Sequence, residues 1–281
     1  MSEYPWPEGK RAAVMISIDV DADTPLLWLA RGEAELRFIA ELEQRQHGLR
    51  YGLKALQQAL AVHATSATFF VPALVAERTP TLLSSLIAGG HEVALHGYAH
   101  EAVRDITDNE FTVALERSLH VFEGQTGKLP RGFRAPGWEM TRHMLTELER
   151  FHLYDSSLAG LDWPYTCGGI TEIPISWARE DTARFKLTGL ADRWPPTGPD
   201  QVLAEWIFDY EATVERGGLF VLTLHDWIAG RPAQLRVLET LLSRIYADEA
   251  TWLATGADIA DHHCRAADAH SRDLRSGLGV S

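Results

Sequence analysis

The sequence predicts a single-domain α/β fold, closer to a (β/α) barrel than to an open doubly wound sheet. Short apolar segments alternate with amphipathic helical segments about seven times along the chain. No internal repeat or low-complexity tract interrupts this alternation. The length of 281 residues, 46% of them hydrophobic, also suits one α/β barrel domain.

Seven segments have the apolar or β-branched composition of buried strands. They cover residues 12–18, 65–74, 91–95, 131–135, 152–155, 170–175 and 218–224. Helical periodicity predicts helices over residues 34–62, with a break near Gly48, and over 76–88, 107–125, 141–151, 199–216 and 231–246. We expect the domain to cover residues 1–264, because residues 265–281 are small and polar, which is typical of a flexible C-terminal tail.

The composition argues against several classes of function. The formal net charge of −13 opposes binding to phosphate backbones, so we expect no nucleic-acid partner. Cys167 and Cys264 are far apart and lack a Cys-x-x-Cys spacing, which argues against a disulfide framework and a thiolate zinc site. The first apolar run is too short for a signal peptide or a membrane span. We therefore expect a cytoplasmic protein without a membrane partner.

Polar residues recur where the predicted strands end. They are Asp19, Asp21, His96, His100, Arg134, Asp155 and His225. In parallel α/β folds the carboxyl ends of the strands meet at one rim, and active sites form there. This pattern predicts a site.

A metal centre is predicted from the segments SIDVDAD and HEVALHGYAHE. The spacing of His96 and His100 is weak by itself, because 12 histidines yield about 0.5 such pairs by chance. Strand alternation places Asp19, Asp21 and Asp23 on one face, where they repel each other unless a cation lies among them. One carboxylate with two imidazoles is a ligand set suited to zinc or another divalent metal. The alternative is a surface histidine pair beside a solvated strand end.

The remaining polar residues suggest acid–base chemistry. Asp19 is placed to take a proton from a water molecule, and His225 to donate one to a leaving amine, although His225 could instead be a core histidine. Arg134 could hold Asp19 or pair with a carboxylate for structure alone. Asp155 or Asp162 could orient His225.

Aromatic residues could form the walls of a substrate site. We expect this role for Trp138 and Tyr165, although most of the nine tryptophans must belong to the core.

These segments together resemble the polysaccharide deacetylase family (carbohydrate esterase family 4, the NodB homology domain). The similarity is closest to the branch that contains peptidoglycan deacetylase-like and allantoinase-like proteins. The matching segments, in the family's order, are SIDVDAD, ATFFVPALVAE, GGHEVALHGYAHE, FRAPGW, YDSSLAGLDWPY and LTLHDWIAGRP. The resemblance implies a distorted (β/α)7 barrel.

The resemblance also implies roles for individual residues. Asp19 matches the catalytic base, His225 the acid and Arg134 the residue that orients the base. Asp21, His96 and His100 match the metal ligands, which usually hold zinc. Gly137 stands where the family often has tyrosine. Its backbone N–H can still donate to an oxyanion, but the aromatic side chain that would line the substrate site is then that of Trp138.

Three functions follow as expectations. The first is metal-dependent N-deacetylation of an amino sugar or a related N-acyl substrate. The second is hydrolysis of a small cytoplasmic amide, such as the opening of a ureide ring, and allantoinase-type members reported to work without metal leave the metal itself implied only. The third is a sugar-binding protein with a degenerate site. The resemblance is also compatible with a homo-oligomer.

Overall fold

The structure is a computed structural model that describes residues 4–32, 39–186 and 196–270, the last four of these by their backbone alone. Within these residues nine strands form one sheet. They are β1 (Ala12–Asp19), β2 (Thr68–Val71), β3 (Glu92–Leu95), β4 (Gly132–Phe133), β5 (Tyr154–Asp155), β6 (Tyr165–Cys167), β7 (Ile170–Glu172), β8 (Leu219–His225) and β9 (Thr251–Leu253).

The sheet has the order β6-β7-β5-β4-β3-β2-β1-β8. Strand β9 lies outside this order and pairs with the first residues of β1, whereas β2 pairs with its last residues. All of these pairings are parallel except that of β6 with β7. The longest pairing is that of β1 with β8, in a register that aligns Asp19 with His225. The parallel order therefore brings the carboxyl ends of the strands to a common rim.

The segment after β7 borders the outer edge of β8 and closes the curled sheet. Glu180 forms a parallel bridge with Thr223, and the Asp181 N–H donates to the Thr223 carbonyl at 3.2 Å. At the other end of β8, the Leu219 N–H donates to the Asp162 carbonyl at 2.8 Å. The predicted single-domain, distorted (β/α)7 barrel is confirmed.

Helices pack against the outside of the sheet and against the apolar base of its inner face. They are α1 (Thr24–Leu29), α2 (Ala40–His47), α3 (Leu53–Val62), α4 (Ala73–Arg78), α5 (Leu82–Ala88), α6 (Asp108–Thr126), α7 (Arg142–Arg150), α8 (Thr182–Phe185), α9 (Pro199–Glu215), α10 (Asp226–Ala229), α11 (Pro232–Tyr246) and α12 (Gly256–His270). A π-helix (Gly48–Gly52) joins α2 to α3, and three short 3₁₀ turns cover Val103–Asp105, Pro136–Trp138 and Trp177–Arg179.

Several predicted boundaries differ from the structure. The strand predicted over residues 65–74 is shorter, because Pro72 precedes α4. The predicted break near Gly48 is the π-helix, while residues 33–38 lie outside the described residues. The boundary predicted at residue 264 falls inside α12, and residues 271–281 of the predicted tail are not among the described ones.

The sheet separates two apolar layers. Along β1 and β8 the residues of its inner face change from apolar to polar. Alternate β1 residues Ala13 and Met15 belong to the inner cluster, and the next two on that alternation are Ser17 and Asp19. In β8, Leu219 and Val221 precede Thr223 and His225 in the same way. The barrel is thus apolar at its base and polar at its rim.

Candidate metal centre and catalytic residues

Asp21, His96 and His100 converge at the rim. Asp21 lies two residues past the end of β1, in a turn where Ala22 has a φ of 50°. The Asp21 Oδ1 atom is 3.5 Å from Nε2 of His96 and 3.5 Å from Nε2 of His100. The three potential ligand atoms lie within 4.8 Å of one another. The residues predicted as metal ligands from separate segments therefore meet.

The two histidines lie on a tight loop and not on a helical turn. His96 directly follows β3, and both Gly97 (φ 70°) and His100 (φ 57°) have left-handed backbone. The buried Glu101 carboxylate closes this loop by accepting hydrogen bonds from the N–H groups of Tyr98 (3.0 Å) and Ala99 (2.9 Å). Backbone strain at a non-glycine residue such as His100 is typical of a functional loop whose surroundings hold it in place.

The donor set fits a divalent metal ion. Asp21 Oδ1 is buried and has no hydrogen-bond partner among the described residues. His96 uses its other ring nitrogen, Nδ1, to donate to the Arg134 carbonyl at 2.8 Å, which leaves Nε2 directed at the site. A buried carboxylate oxygen that accepts no hydrogen bond and has two imidazole nitrogens beside it is suited to coordinating a cation.

Charges at the site favour the same conclusion. Burial opposes ionisation of Asp21, but His100, His96 and His225 outweigh burial and hold the pKa of Asp21 well below its usual value. Burial lowers the pKa of His100 to about 4, so its ring is neutral and able to bind metal at pH 7. Burial also disfavours a charged His96, but the carboxylates of Asp19 and Asp21 raise its pKa. The environment that attracts a proton to His96 also attracts a metal ion.

Asp19 is held by Arg134, as predicted. The fully buried guanidinium donates from Nη1 to Asp19 Oδ1 at 2.7 Å and to Ser17 Oγ at 3.0 Å. It is fixed from the other side by Ser156, whose carbonyl accepts from Nε at 2.9 Å and whose hydroxyl accepts from Nη2 at 3.0 Å. The other Asp19 oxygen, Oδ2, is 3.8 Å from His96 Nε2, so Asp19 lies beside the candidate metal ligands.

His225 is oriented by Asp181 and not by Asp155 or Asp162. Its Nδ1 donates to Asp181 Oδ1 at 2.6 Å, and its backbone N–H donates to Asp181 Oδ2 at 2.9 Å. Its free nitrogen, Nε2, is 3.8 Å from Asp21 Oδ2. Burial disfavours the imidazolium, but Asp181, with Asp21 and Glu180, raises the pKa of His225 well above its ordinary value.

Asp155 belongs to a different network. It lies fully buried at the end of β5 and accepts hydrogen bonds from the N–H and the hydroxyl of Ser157, at 3.1 and 2.7 Å. Glu172 accepts from the same N–H at 3.1 Å and from the Leu158 N–H at 2.9 Å. The prediction of a role for Asp155 next to His225 is wrong, because its carboxylate instead fixes the turn that carries Ser156, a partner of Arg134. The Asp162 side chain is exposed, and its carbonyl is the group that contacts β8.

The predicted substrate-contact residues lie in two places. Gly137 and Trp138 form the 3₁₀ turn directly after Arg134, and Gly137 has a φ of 67°. Tyr165 is buried on β6, and its hydroxyl accepts a hydrogen bond from the Gly160 N–H at 3.2 Å. That contact ties the Tyr165 hydroxyl to its own loop.

Comparison with known proteins decides the family. The profile of the polysaccharide deacetylase family matches residues 48–154. A solved structure assigned as a polysaccharide deacetylase of Mycobacterium smegmatis superimposes with a TM-score of 0.89 at 31% identity, covering 97% of this chain and 96% of that one. The chain belongs to the polysaccharide deacetylase family. Deacetylases of this family are hydrolases of carbon–nitrogen bonds other than peptide bonds, and they generally depend on a divalent metal.

Two curated relatives of this polysaccharide deacetylase carry related names. The peptidoglycan deacetylase of Helicobacter pylori is 24% identical over 283 residues, which cover 88% of this chain and 95% of that protein. A peptidoglycan deacetylase-like protein of Gibberella zeae is 31% identical over 159 residues. That match covers 56% of this chain and 47% of the Gibberella protein, about half of its length.

The fold is also shared outside the deacetylases. The structure of the PuuE allantoinase superimposes with a TM-score of 0.81 at 20% identity and covers 96% of each chain. At this identity the likeness concerns the fold alone. No helix in the part of the deacetylase chain that the structure describes is both long and apolar enough to cross a membrane.

Sequence reasoning missed three residues of the candidate site. Asp181 lies in no predicted strand and precedes a short helix, where aspartate is common as a cap. Glu101 gave no sequence signal beyond its position next to His100. Arg45 on α2 is buried, with Nη1 3.9 Å from Asp21 Oδ2, and nothing in its helical segment indicated a position at the rim.

Proposed function

We propose that the protein is a metal-dependent N-deacetylase that removes an acyl group from an amino sugar. A single observation carries the proposal. Two imidazoles and one carboxylate converge beside Asp19, and His225 approaches the same Asp21 carboxylate from β8. A base, an acid and a cation site in one cleft are the groups that hydrolysis of an amide requires.

Asp21, His96 and His100 are the proposed metal ligands, and zinc is the metal that best suits one carboxylate with two imidazoles. When bound, such an ion polarises the acyl oxygen and makes water a better nucleophile near neutral pH. The proton transfers of the reaction are assigned to side chains of the protein.

Asp19 is the proposed base. Its Oδ1 is occupied by Arg134, so Oδ2 is the oxygen that takes the proton of the attacking water. The Arg134 guanidinium is itself fixed by Ser17 and Ser156, which keeps the carboxylate in one orientation as charge moves.

His225 is the proposed acid. Asp181 binds Nδ1, so the proton to be donated is on Nε2, the nitrogen that faces the site. The raised pKa of His225 keeps that nitrogen protonated at neutral pH, ready to protonate the leaving amine. The backbone N–H of the exposed residue Gly137 is the proposed donor to the oxyanion.

Opening of a small ureide ring is the second candidate, and the fold shared with the allantoinase favours it. The two reactions use the same base and acid but differ in the size of the substrate and in the product. Membership of a family whose named relatives act on peptidoglycan favours the amino sugar.

One experiment tests the proposal. Purified wild-type protein is analysed for bound metal and assayed for acetate release from N-acetylated chitooligosaccharides and for ureide ring opening, each with and without a chelator. We expect chelator-sensitive acetate release, a loss of at least about 100-fold in kcat for Asp19→Asn, and little change in its melting temperature. Ring opening without acetate release would replace the first candidate by the second, and full activity of Asp19→Asn would refute both.

A further inference from the structure

Two buried arginines lie at the rim, one beside each aspartate of the proposed site. Arg134 donates to Asp19 Oδ1 at 2.7 Å and so holds the proposed base. Arg45, on α2, has its Nη1 atom 3.9 Å from Asp21 Oδ2. Both arginine side chains are buried, so the charge of each guanidinium needs a carboxylate nearby to balance it. Arg45 thus stands towards the proposed metal ligand much as Arg134 stands towards the proposed base.

The two carboxylate oxygens of Asp21 face different partners. Oδ1 is 3.5 Å from Nε2 of His96 and 3.5 Å from Nε2 of His100, the other two proposed metal ligands. Oδ2 is 3.8 Å from His225 Nε2 and 3.9 Å from Arg45 Nη1. One oxygen therefore faces the cation site, and the other faces two side chains that carry positive charge. Because His225 gives up its proton in the proposed reaction, Arg45 is the partner of Oδ2 that stays charged.

The Arg45 guanidinium is held in place on its other sides. Its Nε donates to Glu41 Oε1 at 3.1 Å, and its central carbon lies 4.6 Å from the centroid of the Trp227 ring. Among the described residues, Glu41 and Asp21 are the two carboxylates that form ion pairs with Arg45. The Nη1 atom is buried and has no hydrogen-bond partner among those residues. A buried donor without a partner is costly, so Nη1 is available to bind Asp21 Oδ2 when that oxygen moves slightly closer.

The segment that follows Arg45 is packed tightly against α10. A Cβ atom on Gly48 would overlap the Asp226 carboxylate, and one on Gly52 would overlap the Asp226 carbonyl. These two glycines are the ends of the π-helix, an element that occurs often at functional sites. Asp226 directly follows the proposed acid His225 in the chain. The packing therefore fixes α2, and Arg45 with it, relative to the rim.

We propose that Arg45 is a positioning residue that holds Oδ2 of Asp21, so that Asp21 offers Oδ1 alone to a metal ion. This proposal rests on the proposed metal-dependent function and specifies how one of the three ligands binds. A carboxylate that binds through both oxygens fills an additional coordination position, as is common for Ca²⁺. A catalytic zinc site needs an open position for water or substrate. Holding Oδ2 away from the ion keeps that position open.

The test compares metal binding in matched variants. Arg45→Gln removes the charge, Arg45→Lys retains it on a shorter group, and Arg50→Gln alters an exposed ion pair of the π-helix as a control. Co²⁺ is added to metal-free protein and followed by its visible absorption, which weakens as the coordination number of the ion rises. We expect the absorbance per bound Co²⁺ to fall several-fold in Arg45→Gln. Arg45→Lys should lie between Arg45→Gln and wild type, and Arg50→Gln should match wild type.

The direction of the change in affinity separates positioning from a structural role. Loss of a residue that only supports the fold would weaken metal binding, whereas loss of a positive charge beside the ion should not. We expect Arg45→Gln to bind Co²⁺ at least as tightly as wild type and Ca²⁺ about tenfold more tightly, in competition titrations. The melting temperature of the metal-free protein verifies that the variant is folded. If it is not, Glu41→Gln, which frees the same guanidinium from its other side, should show the same changes at smaller amplitude.

The outcomes distinguish this proposal from the proposed function. Acetate release by wild type, with the same Co²⁺ spectrum in wild type and folded Arg45→Gln, would overturn the role of Arg45 alone, as would weaker Co²⁺ binding with an unchanged spectrum. The expected spectral change without acetate release by wild type would keep the role of Arg45 and overturn the deacetylase assignment. Failure of wild type to bind Co²⁺ would overturn both. Where acetate is released, we expect kcat of Arg45→Gln to be lower by about 10–100-fold with little change in KM.

Discussion

The Asp181 carboxylate holds His225 by two hydrogen bonds, one to the ring Nδ1 at 2.6 Å and one to the backbone N–H at 2.9 Å. Because the backbone bond fixes Asp181 at the end of β8, the ring bond fixes both the tautomer and the direction of the imidazole. Burial raises the pKa of Asp181 to about 6 even though His225 acts to lower it, and Asp181 in turn raises the pKa of His225 well above its ordinary value, so at pH 7 the pair is aspartate and imidazolium.

Asp181→Asn should therefore abolish most turnover. An amide removes the negative charge that raises the pKa of His225, so less imidazolium is available to protonate the amine. We expect kcat to fall by about 10²–10⁴-fold and the basic limb of the pH profile to move to lower pH. Asp162→Asn is the matched control, because that side chain is exposed. An unchanged basic limb in Asp181→Asn would remove His225 from the role of acid.

Metal content should depend on His96 and His100. We expect about one metal ion per wild-type chain, and near-complete loss in His96→Ala and His100→Ala by elemental analysis, because each variant removes one of three protein ligands. His120→Ala, an exposed histidine on α6, is the control.

The same experiment has a pH dependence. The pKa of His96 is raised and that of His100 is lowered to about 4, so protons compete with metal mainly at His96 as the pH falls. We expect metal affinity to decrease on acidification, starting above the ordinary pKa range of histidine. Affinity that is constant from about pH 8 to 5 would contradict a histidine-based site.

Glu101 should control metal affinity without touching the metal. Glu101→Ala removes the acceptor of two backbone N–H groups in the loop between His96 and Glu101 itself, and thus loosens the strained conformation of His100. A chelator competition titration should show affinity lower by about 10–100-fold. Glu77→Gln alters an exposed contact to the Tyr98 hydroxyl and should change affinity little. Equal affinity in the two variants would mean that the loop holds its shape unaided.

The carboxyl pair of Asp155 and Glu172 should make stability depend on pH. Burial, followed by the nearby charge of Asp155, raises the pKa of Glu172 well above its usual value, so the folded protein keeps a proton that the unfolded chain releases. Stability should consequently be highest below the ordinary glutamate pKa and fall as the pH rises towards the folded pKa. Glu172→Gln carries no proton to lose, so its melting temperature should fall less between about pH 5 and 8 than that of wild type. Glu215→Gln, an exposed substitution, should follow wild type, and parallel curves for all three proteins would refute a proton retained on Glu172 in the folded protein.

Local sequence patterns were sufficient to predict the long strands β1 and β8 and the residues that meet at the candidate metal centre. The apolar run of β1 and the run of β8 each end in a polar residue, and parallel pairing forces such ends onto one rim. Residues that act at strand ends can therefore be found from the sequence once the strands are found. The substrate contacts of Gly137, Trp138 and Tyr165 remain predictions.

The same patterns could not predict short and irregular elements. The strands β6 and β9 have three residues each, too few for an alternation to be recognised. Helix α12 begins at Gly256, and its many small and polar residues have the composition of a flexible tail. Its burial against the sheet depends on contacts with distant segments.

The sequence by itself determined the barrel and the identity of the proposed base, acid and ligands, because those residues follow buried strands whose composition is a local property. Only the tertiary structure decided which carboxylates support them. Asp181 reaches His225 across 44 residues of chain, and Glu172 reaches the Ser157 N–H across 15. No local propensity encodes such pairings, because they arise from the closure of the barrel and the burial of charges that must find partners.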